Sequence, residues 1–100
     1  MAIVMRMHWA GVTADQYDKA CEIADWEGDP PDGGVFHVAW LDDAGLNVMD
    51  VWDSAEQFEA FVGTRLMAAT AHAGIEGEPT SVEISPAHRV FDVLAERAFS

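Results

Sequence analysis

The sequence predicts an α+β fold in which a four-stranded antiparallel sheet carries two helices on one face. The first observation is the order of local patterns along the chain: strand, helix, strand, strand, helix, strand. The second is that both helical segments begin with the same motif, a Ser or Thr followed three residues later by Gln, at Thr13 and at Ser54. The third is a short polar turn over residues 42–45 that joins the two middle strands. Two similar βαβ halves predict a ferredoxin-like fold with the strands in the order fourth, first, third, second.

The first half of the chain supplies a strand and a helix. Ala2 to Trp9 alternates two sets of side chains and is predicted to be the first strand. Thr13 caps the following helix, whose apolar stripe begins at Tyr17 in a hydrophobic staple. Cys21 lies on the same stripe, so we expect a small core residue rather than a nucleophile.

The middle of the chain is predicted to form a hairpin and the second helix. Val35 to Leu41 is almost continuously apolar, which is typical of a strand buried on both faces. Leu46 to Trp52 is the return strand. The helix that Ser54 caps places apolar residues at helical spacing and ends near Gly74.

The remaining segments are two loops, a last strand and a tail. Trp26 to Gly34 contains two prolines and three glycines, so it is a loop that either covers the mouth of a pocket or only connects two elements. Thr80 to Phe91 is the last strand, in which Pro86 favours a bulge or an edge position. We expect one domain over residues 1–100, with its core over about 2–93. The tail beyond residue 91 either forms a short helix or packs onto a partner.

Composition excludes several classes of function. The net charge of −13 would repel nucleic acid and anionic lipid, and it favours a solubilising acidic surface over a docking patch for a basic partner. No apolar run is long enough to span a membrane, and the first apolar run is too short for a signal peptide. A single cysteine allows no internal disulfide. We therefore expect a cytoplasmic protein.

The second face of the sheet predicts self-association. Two helices cover one face only, and both faces carry apolar residues, such as Met5 on one and Val4 on the other, so the uncovered face is apolar whichever it is. A large exposed apolar face is unusual in a soluble monomer, so we expect a homodimer that pairs through its sheets.

Three stretches of sequence carry a family resemblance: RMHWAGVTADQY (residues 6–17), FHVAWLDDAGLNVMDVWDSAEQFEAFV (residues 36–62) and EISPAHRVF (residues 83–91). They resemble the dimeric α+β barrel superfamily, which includes antibiotic-biosynthesis-monooxygenase-like, stress-responsive, muconolactone-isomerase-like and chlorite-dismutase-like proteins. The middle stretch is similar to small bacterial proteins of this group that have no assigned activity. The resemblance implies a homodimer whose two sheets form a barrel and a ligand cavity between helices and sheet in each subunit. It supplies no catalytic set.

Three residues are candidates for acid–base catalysis: His8, His37 and Asp50. The two histidines interrupt apolar strands and titrate near neutral pH, although a histidine in a strand is more often a hydrogen-bonded core residue. A carboxylate on a central strand must be paired or protonated. Arg6 on the neighbouring strand would form a structural ion pair with Asp50, whereas His8 would form a His–carboxylate dyad for proton abstraction.

The substrate-binding candidates are aromatic, apolar or cationic side chains on the strands and the second helix: Arg6, Trp9, Trp40, Trp52, Phe58, Val62 and His88. The tryptophans either line a pocket for a planar ligand or fill the core and the dimer interface. No His or Cys spacing forms a metal motif, and we expect no cofactor.

Three functional hypotheses follow. The first is a protein that binds a hydrophobic, aromatic or polyketide-like molecule, as a binder or as a cofactor-independent monooxygenase, cyclase or isomerase. The second is a non-catalytic dimeric module with a structural or regulatory role, and the third is a haem-binding protein. The same βαββαβ frame can host all three, so the sequence does not choose between them.

Overall fold

The computed structural model describes residues 1–91 and contains a four-stranded sheet packed against two helical regions. The tail from residue 92 onward, for which a helix or a partner contact was predicted, lies outside the described residues. The elements, in chain order, are β1 (Ile3–Ala10), α1 (Ala14–Ala24), β2 (Gly34–Asp42), β3 (Gly45–Trp52), α2 (Ala55–Phe61), a π-helical segment (Val62–Leu66), α3 (Met67–His72) and β4 (Ser81–Pro86). The α2, π and α3 segments follow one another without a break and together form the second helix.

The sheet has the order β2-β3-β1-β4, and all three strand pairs are antiparallel. Read from the other edge, this is the predicted order of fourth, first, third and second strands. The ferredoxin-like α+β fold predicted from the sequence is therefore confirmed.

One sheet face packs against the helices and forms the core. The residues of β1 and β3 on this face are almost fully buried, and they are Ile3, Met5, Met7 and Trp9 with Leu46, Val48, Asp50 and Trp52. Phe58 and Phe61 of α2 belong to the same buried cluster and form its helix side. Asp50 is the one buried carboxylate within residues 1–91, which makes its environment a natural place to look for chemistry.

The hairpin turn is built as its sequence predicts. One carboxylate oxygen of Asp42 accepts the backbone N–H groups of Ala44 and Gly45 at 2.9 and 3.2 Å. Gly45 has a φ of +133°, and a Cβ there would collide with the backbone oxygen of Trp9. The turn therefore requires glycine at this position.

The second strand differs from its prediction. Its apolar run predicted burial on both faces, but β2 is an edge strand and most of its residues are only half-buried. Phe36 and Trp40 are 36% and 48% exposed on the sheet face away from the helices. The apolar run of β2 therefore does not reflect burial of both its faces within one chain.

Both helix caps form where predicted. Thr13 accepts the N–H of Gln16, whose side chain returns to the Thr13 N–H, so the capping box is complete. Ser54 accepts the N–H of Gln57, but the return contact joins the two side chains. Gly63 lies inside the π segment, where a Cβ would meet open space, so no close backbone approach explains it.

Two other predictions are wrong in detail. The last strand ends at Pro86 rather than at Phe91, although it is an edge strand as Pro86 indicated. Cys21 was expected in the core but is exposed, because the buried stripe of α1 runs through Ala20 and Ala24 instead.

No helix within residues 1–91 is both long enough and apolar enough to cross a lipid bilayer.

Candidate functional site

A cavity of about 870 Å³ lies between the second helix and the β1–β4 side of the sheet. Its sheet wall comes from alternate residues of the two strands, Met7, Trp9, Val82 and Ile84, which share one face in the observed register. Its helix wall includes Phe58, Val62 and Leu66, and the loop after α3 closes one end. The lining is therefore mainly apolar.

The π-helical segment shapes the helix wall of this cavity. Val62 and Leu66, its first and last residues, both face the cavity. Between them, Arg65 points to the other side and donates to the backbone oxygens of Ala24, Asp25 and Asp29. A π bulge changes the angular spacing of side chains along a helix, so apolar residues reach the cavity while Arg65 reaches the end of α1.

The ionisable residues in the cavity lining are all acidic. They are Glu59 on α2 and Glu76 and Glu78 in the loop after α3, and all three are exposed to solvent. Within residues 1–91, no Lys, Arg or His lines this cavity. The solvent-exposed part of the lining that contains these three glutamates, called the acidic mouth, is therefore negatively charged.

A separate polar network surrounds Asp50 on the opposite side of the core. Asp50 is 4% exposed, and its Oδ2 accepts the indole N–H of Trp52 at 3.1 Å. Its Oδ1 lies 2.6 Å from Nδ1 of His37, and Nε2 of His37 lies 2.5 Å from the hydroxyl of Tyr17. The sheet register places His37 directly opposite Asp50, and α1 brings Tyr17 over the strand.

The partners define what this network can do. A carboxylate accepts hydrogen bonds, so His37 donates from Nδ1 to Asp50, and Nε2 is then free to accept the Tyr17 hydroxyl proton. Burial, with a further contribution from the neighbouring Cys21 and Asp50, raises the pKa of Tyr17. The phenol therefore stays protonated, and the network holds His37 in one orientation with a proton donor at its outer nitrogen.

The loop over residues 26–34 covers this network. The ring of Trp26 lies 5.4 Å from that of His37 and 5.1 Å from that of Trp52. The contacts of Arg65 with Asp25 and Asp29 fix the loop to the second helix. The loop was predicted either to cover the mouth of a pocket or only to connect two elements; its Trp26 packs against His37, and no residue of the loop lines the 870 Å³ cavity.

The structure separates two of the predicted acid–base partners. His37 and Asp50 meet, but His8 points to the open sheet face, where Nδ1 lies 3.0 Å from the amide oxygen of Asn47. Arg6 also points to the open face and pairs with Glu83 at 2.5 Å. Both the Arg6–Asp50 ion pair and the His8–Asp50 dyad are therefore wrong. These residues lie on the adjacent strands β1 and β3, which made contact plausible. Side chains alternate between the two faces of a strand, however, so Arg6 and His8 lie on the open face and Asp50 on the helix-facing one.

The predicted binding residues fall into three groups. The cavity lining contains Trp9, Phe58 and Val62. Trp52 is fully buried beside Phe58, at 5.6 Å between ring centroids, and does not line the cavity. The rest lie elsewhere: Arg6 and Trp40 on the open sheet face, and His88 exposed after β4 rather than inside a strand.

Sequence reasoning missed two residues of the Asp50 network. Tyr17 was placed in a helix staple, yet it is the sole tyrosine and lies on the buried stripe of a helix that must cross the strand carrying His37. That combination was an available signal. Trp26 carried no such signal, because the path of a loop rich in proline and glycine cannot be read from its sequence.

No group of three or more His, Cys, Asp or Glu side chains among residues 1–91 is arranged to hold a metal ion.

Comparison with known proteins identifies the fold. No protein-family model and no curated protein match the sequence. Among solved structures, a protein from Chloroflexus aurantiacus J-10-fl named as a candidate antibiotic biosynthesis monooxygenase is 18% identical, with a TM-score of 0.56 over 90% of this chain and 95% of that one. SnoaB, a cofactor-independent oxygenase from Streptomyces nogalater, is 14% identical, with a TM-score of 0.57 over 89% and 93% of the two chains.

A protein of unknown function from Nitrosomonas europaea is similar to the same degree, at 16% identity and a TM-score of 0.58 over 90% of each chain. At these identities the likeness concerns the fold. The chain therefore has the same fold as these antibiotic-biosynthesis-monooxygenase-like structures, which is the fold that the sequence resemblance implied.

Proposed function

We propose that the protein binds a hydrophobic small molecule in the cavity between the second helix and the β1–β4 side of the sheet. The carrying observation is the cavity itself, which has a volume of about 870 Å³ and a mainly apolar wall. Cavities of this size and lining are typical of small-molecule sites, which fall between about 300 and 1,000 Å³. Trp9 and Phe58 offer flat aromatic surfaces, which favour a planar, aromatic or polyketide-like ligand.

We further propose that any chemistry in this cavity is independent of a cofactor, as oxygenation, cyclisation or isomerisation of the bound molecule. The support is by analogy: SnoaB shares the fold and is named a cofactor-independent oxygenase. Neither His37 nor Asp50 lines the cavity, so this chemistry would depend on the ligand's own reactivity.

The first experiment measures binding of naphthylmethanol, an uncharged aromatic probe, by isothermal titration calorimetry. Ala71→Phe adds a ring at the cavity wall, whereas Ala68→Phe adds the same ring at an exposed position of the same helix outside the cavity. We expect Ala71→Phe to weaken binding at least about tenfold, because the added ring occupies the site, and Ala68→Phe to leave it unchanged. Equal affinity in both variants would show that the probe binds elsewhere.

We also propose a homodimer formed through the open sheet face. Phe36, Val38, Trp40, Met49 and Val51 give this face an apolar character that the helices do not cover. Trp40→Asp is expected to produce a monomer in light-scattering measurements, because it places a charge in the interface. Leu41→Asp is the matched control, since Leu41 is similarly exposed (42%) but is in register with Leu46 of the helix-facing side. A wild-type monomer would refute the proposal.

A second candidate function is proton transfer at His37, and the short contacts of 2.5 and 2.6 Å on either side of its ring favour it. In such a reaction His37 would exchange a proton with a substrate at the Tyr17 side, with Asp50 orienting the ring. In a turnover assay, His37→Gln should lower kcat by at least about a hundredfold. Unchanged turnover would leave the network with a structural role only. An absorption spectrum of the purified protein tests the haem alternative directly, because bound haem gives a Soret band.

A further inference from the structure

We infer that the cavity selects a hydrophobic ligand that carries a positive charge, such as an aromatic amine, and discriminates against carboxylates. The inference rests on the proposed ligand site and names the class of ligand it takes. Two features of the cavity wall lead to it: the sign of its charged residues and the aromatic side chains at its base.

The charges at the cavity all have one sign. Glu59, Glu76 and Glu78 line it from two different elements, so their agreement is not the result of one acidic run. The basic residues of the described chain lie away from it: Arg6 pairs with Glu83, Arg65 binds the end of α1, and Lys19 and Arg89 are absent from the lining. An anionic ligand would therefore meet repulsion without a compensating cation.

The aromatic rings favour a cation as well. Trp9 and Phe58 line the cavity, and their ring faces carry partial negative charge. The attraction between a cation and an aromatic face is stronger in a partly dry site than in water. Nearby carboxylates also raise the local concentration of a cationic ligand. An apolar wall with an acidic mouth thus fits an amphiphilic amine better than a neutral or acidic molecule of the same shape.

The expected preference can be estimated from Coulomb's law. A unit charge about 10 Å away in water changes an affinity about twofold at low salt, so three carboxylates change it about eightfold. Salt near 1 M shortens the screening length to about 3 Å and should remove most of the difference.

The experiment compares three probes of one shape, naphthylmethylamine, naphthylmethanol and naphthalene carboxylate, by calorimetry at low ionic strength. The amine is expected to bind about eightfold more tightly than the alcohol, and the carboxylate more weakly than the alcohol. Glu59, Glu76 and Glu78 are then replaced together by Gln. The affinity ratio of amine to alcohol should fall towards one in this variant.

The control variant replaces Glu22, Glu27 and Glu56 by Gln, which changes the net charge by the same amount at exposed positions outside the cavity. Its ratio should match that of the unmodified protein. A ratio that falls equally in both variants would overturn the inference, because the total charge of −13 would then explain the preference.

The other outcomes also separate the claims. Equal binding of all three probes would refute charge selection while leaving the proposed hydrophobic site intact. Failure of every probe, including the alcohol, would refute the proposed function and the inference together. Binding of the alcohol that weakens as protein concentration rises would show that a second copy of the chain occupies the cavity.

Discussion

Replacing Asp50 tests whether its buried carboxylate is the acceptor that holds the network together. The side chain accepts the Trp52 indole N–H at 3.1 Å and the His37 Nδ1–H at 2.6 Å. Asp50→Ala leaves the indole N–H, on a fully buried ring, without an acceptor, which costs about 1–3 kcal/mol. It also removes a charge-assisted hydrogen bond to His37, worth about 1.5–3 kcal/mol. We expect Asp50→Ala to lose about 3–5 kcal/mol of unfolding free energy.

Asp50→Asn should cost much less, about 1 kcal/mol. Its amide oxygen can accept the Trp52 N–H, while its amide nitrogen donates to His37, which then moves its proton to Nε2 and donates to Tyr17. The assay is urea unfolding monitored by tryptophan fluorescence, and a thermal scan should show Asp50→Ala lower in Tm by about 12 °C or more. Asp53→Ala, at an exposed carboxylate just after β3, is the control and should change stability by less than about 0.5 kcal/mol. Equal losses in the Ala and Asn variants would refute the acceptor argument.

Three further predictions follow from local structure. Tyr17 is the sole tyrosine, and its pKa is raised mainly by burial, so its phenolate absorbance should not appear near pH 10 in the folded protein. Because the unfolded chain does ionise there, the contribution of Tyr17 to stability should be constant below about pH 10 and be lost above it, and a phenolate signal before unfolding would contradict the burial. Gly45→Ala should lower the free energy of unfolding by about 1–3 kcal/mol, because alanine would have to adopt a positive φ and its Cβ would collide with the Trp9 backbone. Gly63→Ala should raise it by about 0.5–1 kcal/mol, because its Cβ meets open space and Ala has the higher helix propensity. The reverse order in urea unfolding would refute that account of the turn. Arg65→Met should cost about 1.5–3 kcal/mol because three carbonyls lose their donor, while Arg6→Met, at a pair more than 60% exposed, should cost less than about 1 kcal/mol.

The sequence was sufficient for the fold because local signals agreed with one another. The two capped helices and the Asp42–Gly45 turn are short-range features, and each forms as predicted from its own residues. The alternation in the first strand divided its side chains into two faces, and the structure shows that the face from Ile3 to Trp9 is the buried one. Strand order then followed from the few connections that two βαβ halves allow.

The candidate site could be predicted only in part, because it depends on contacts between distant segments. Asp50 was expected to need a partner, and the sequence analysis named Arg6 and His8; finding His37 instead required the sheet face of each residue. Trp26 reaches His37 through an irregular loop, which has no periodicity to read. The cavity depends on the π segment, whose altered angular spacing is also invisible in a 3.6-residue pattern.

The central claim is that the space between the second helix and the β1–β4 side of the sheet holds the ligand. The most direct measurement is a crystal structure of the protein grown with naphthylmethylamine. The account predicts the naphthyl ring against Trp9 and Phe58, with the amine directed towards the acidic mouth formed by Glu59, Glu76 and Glu78. Probe density at His37 beneath Trp26, with the cavity empty, would contradict it and move the functional site to the Asp50 network.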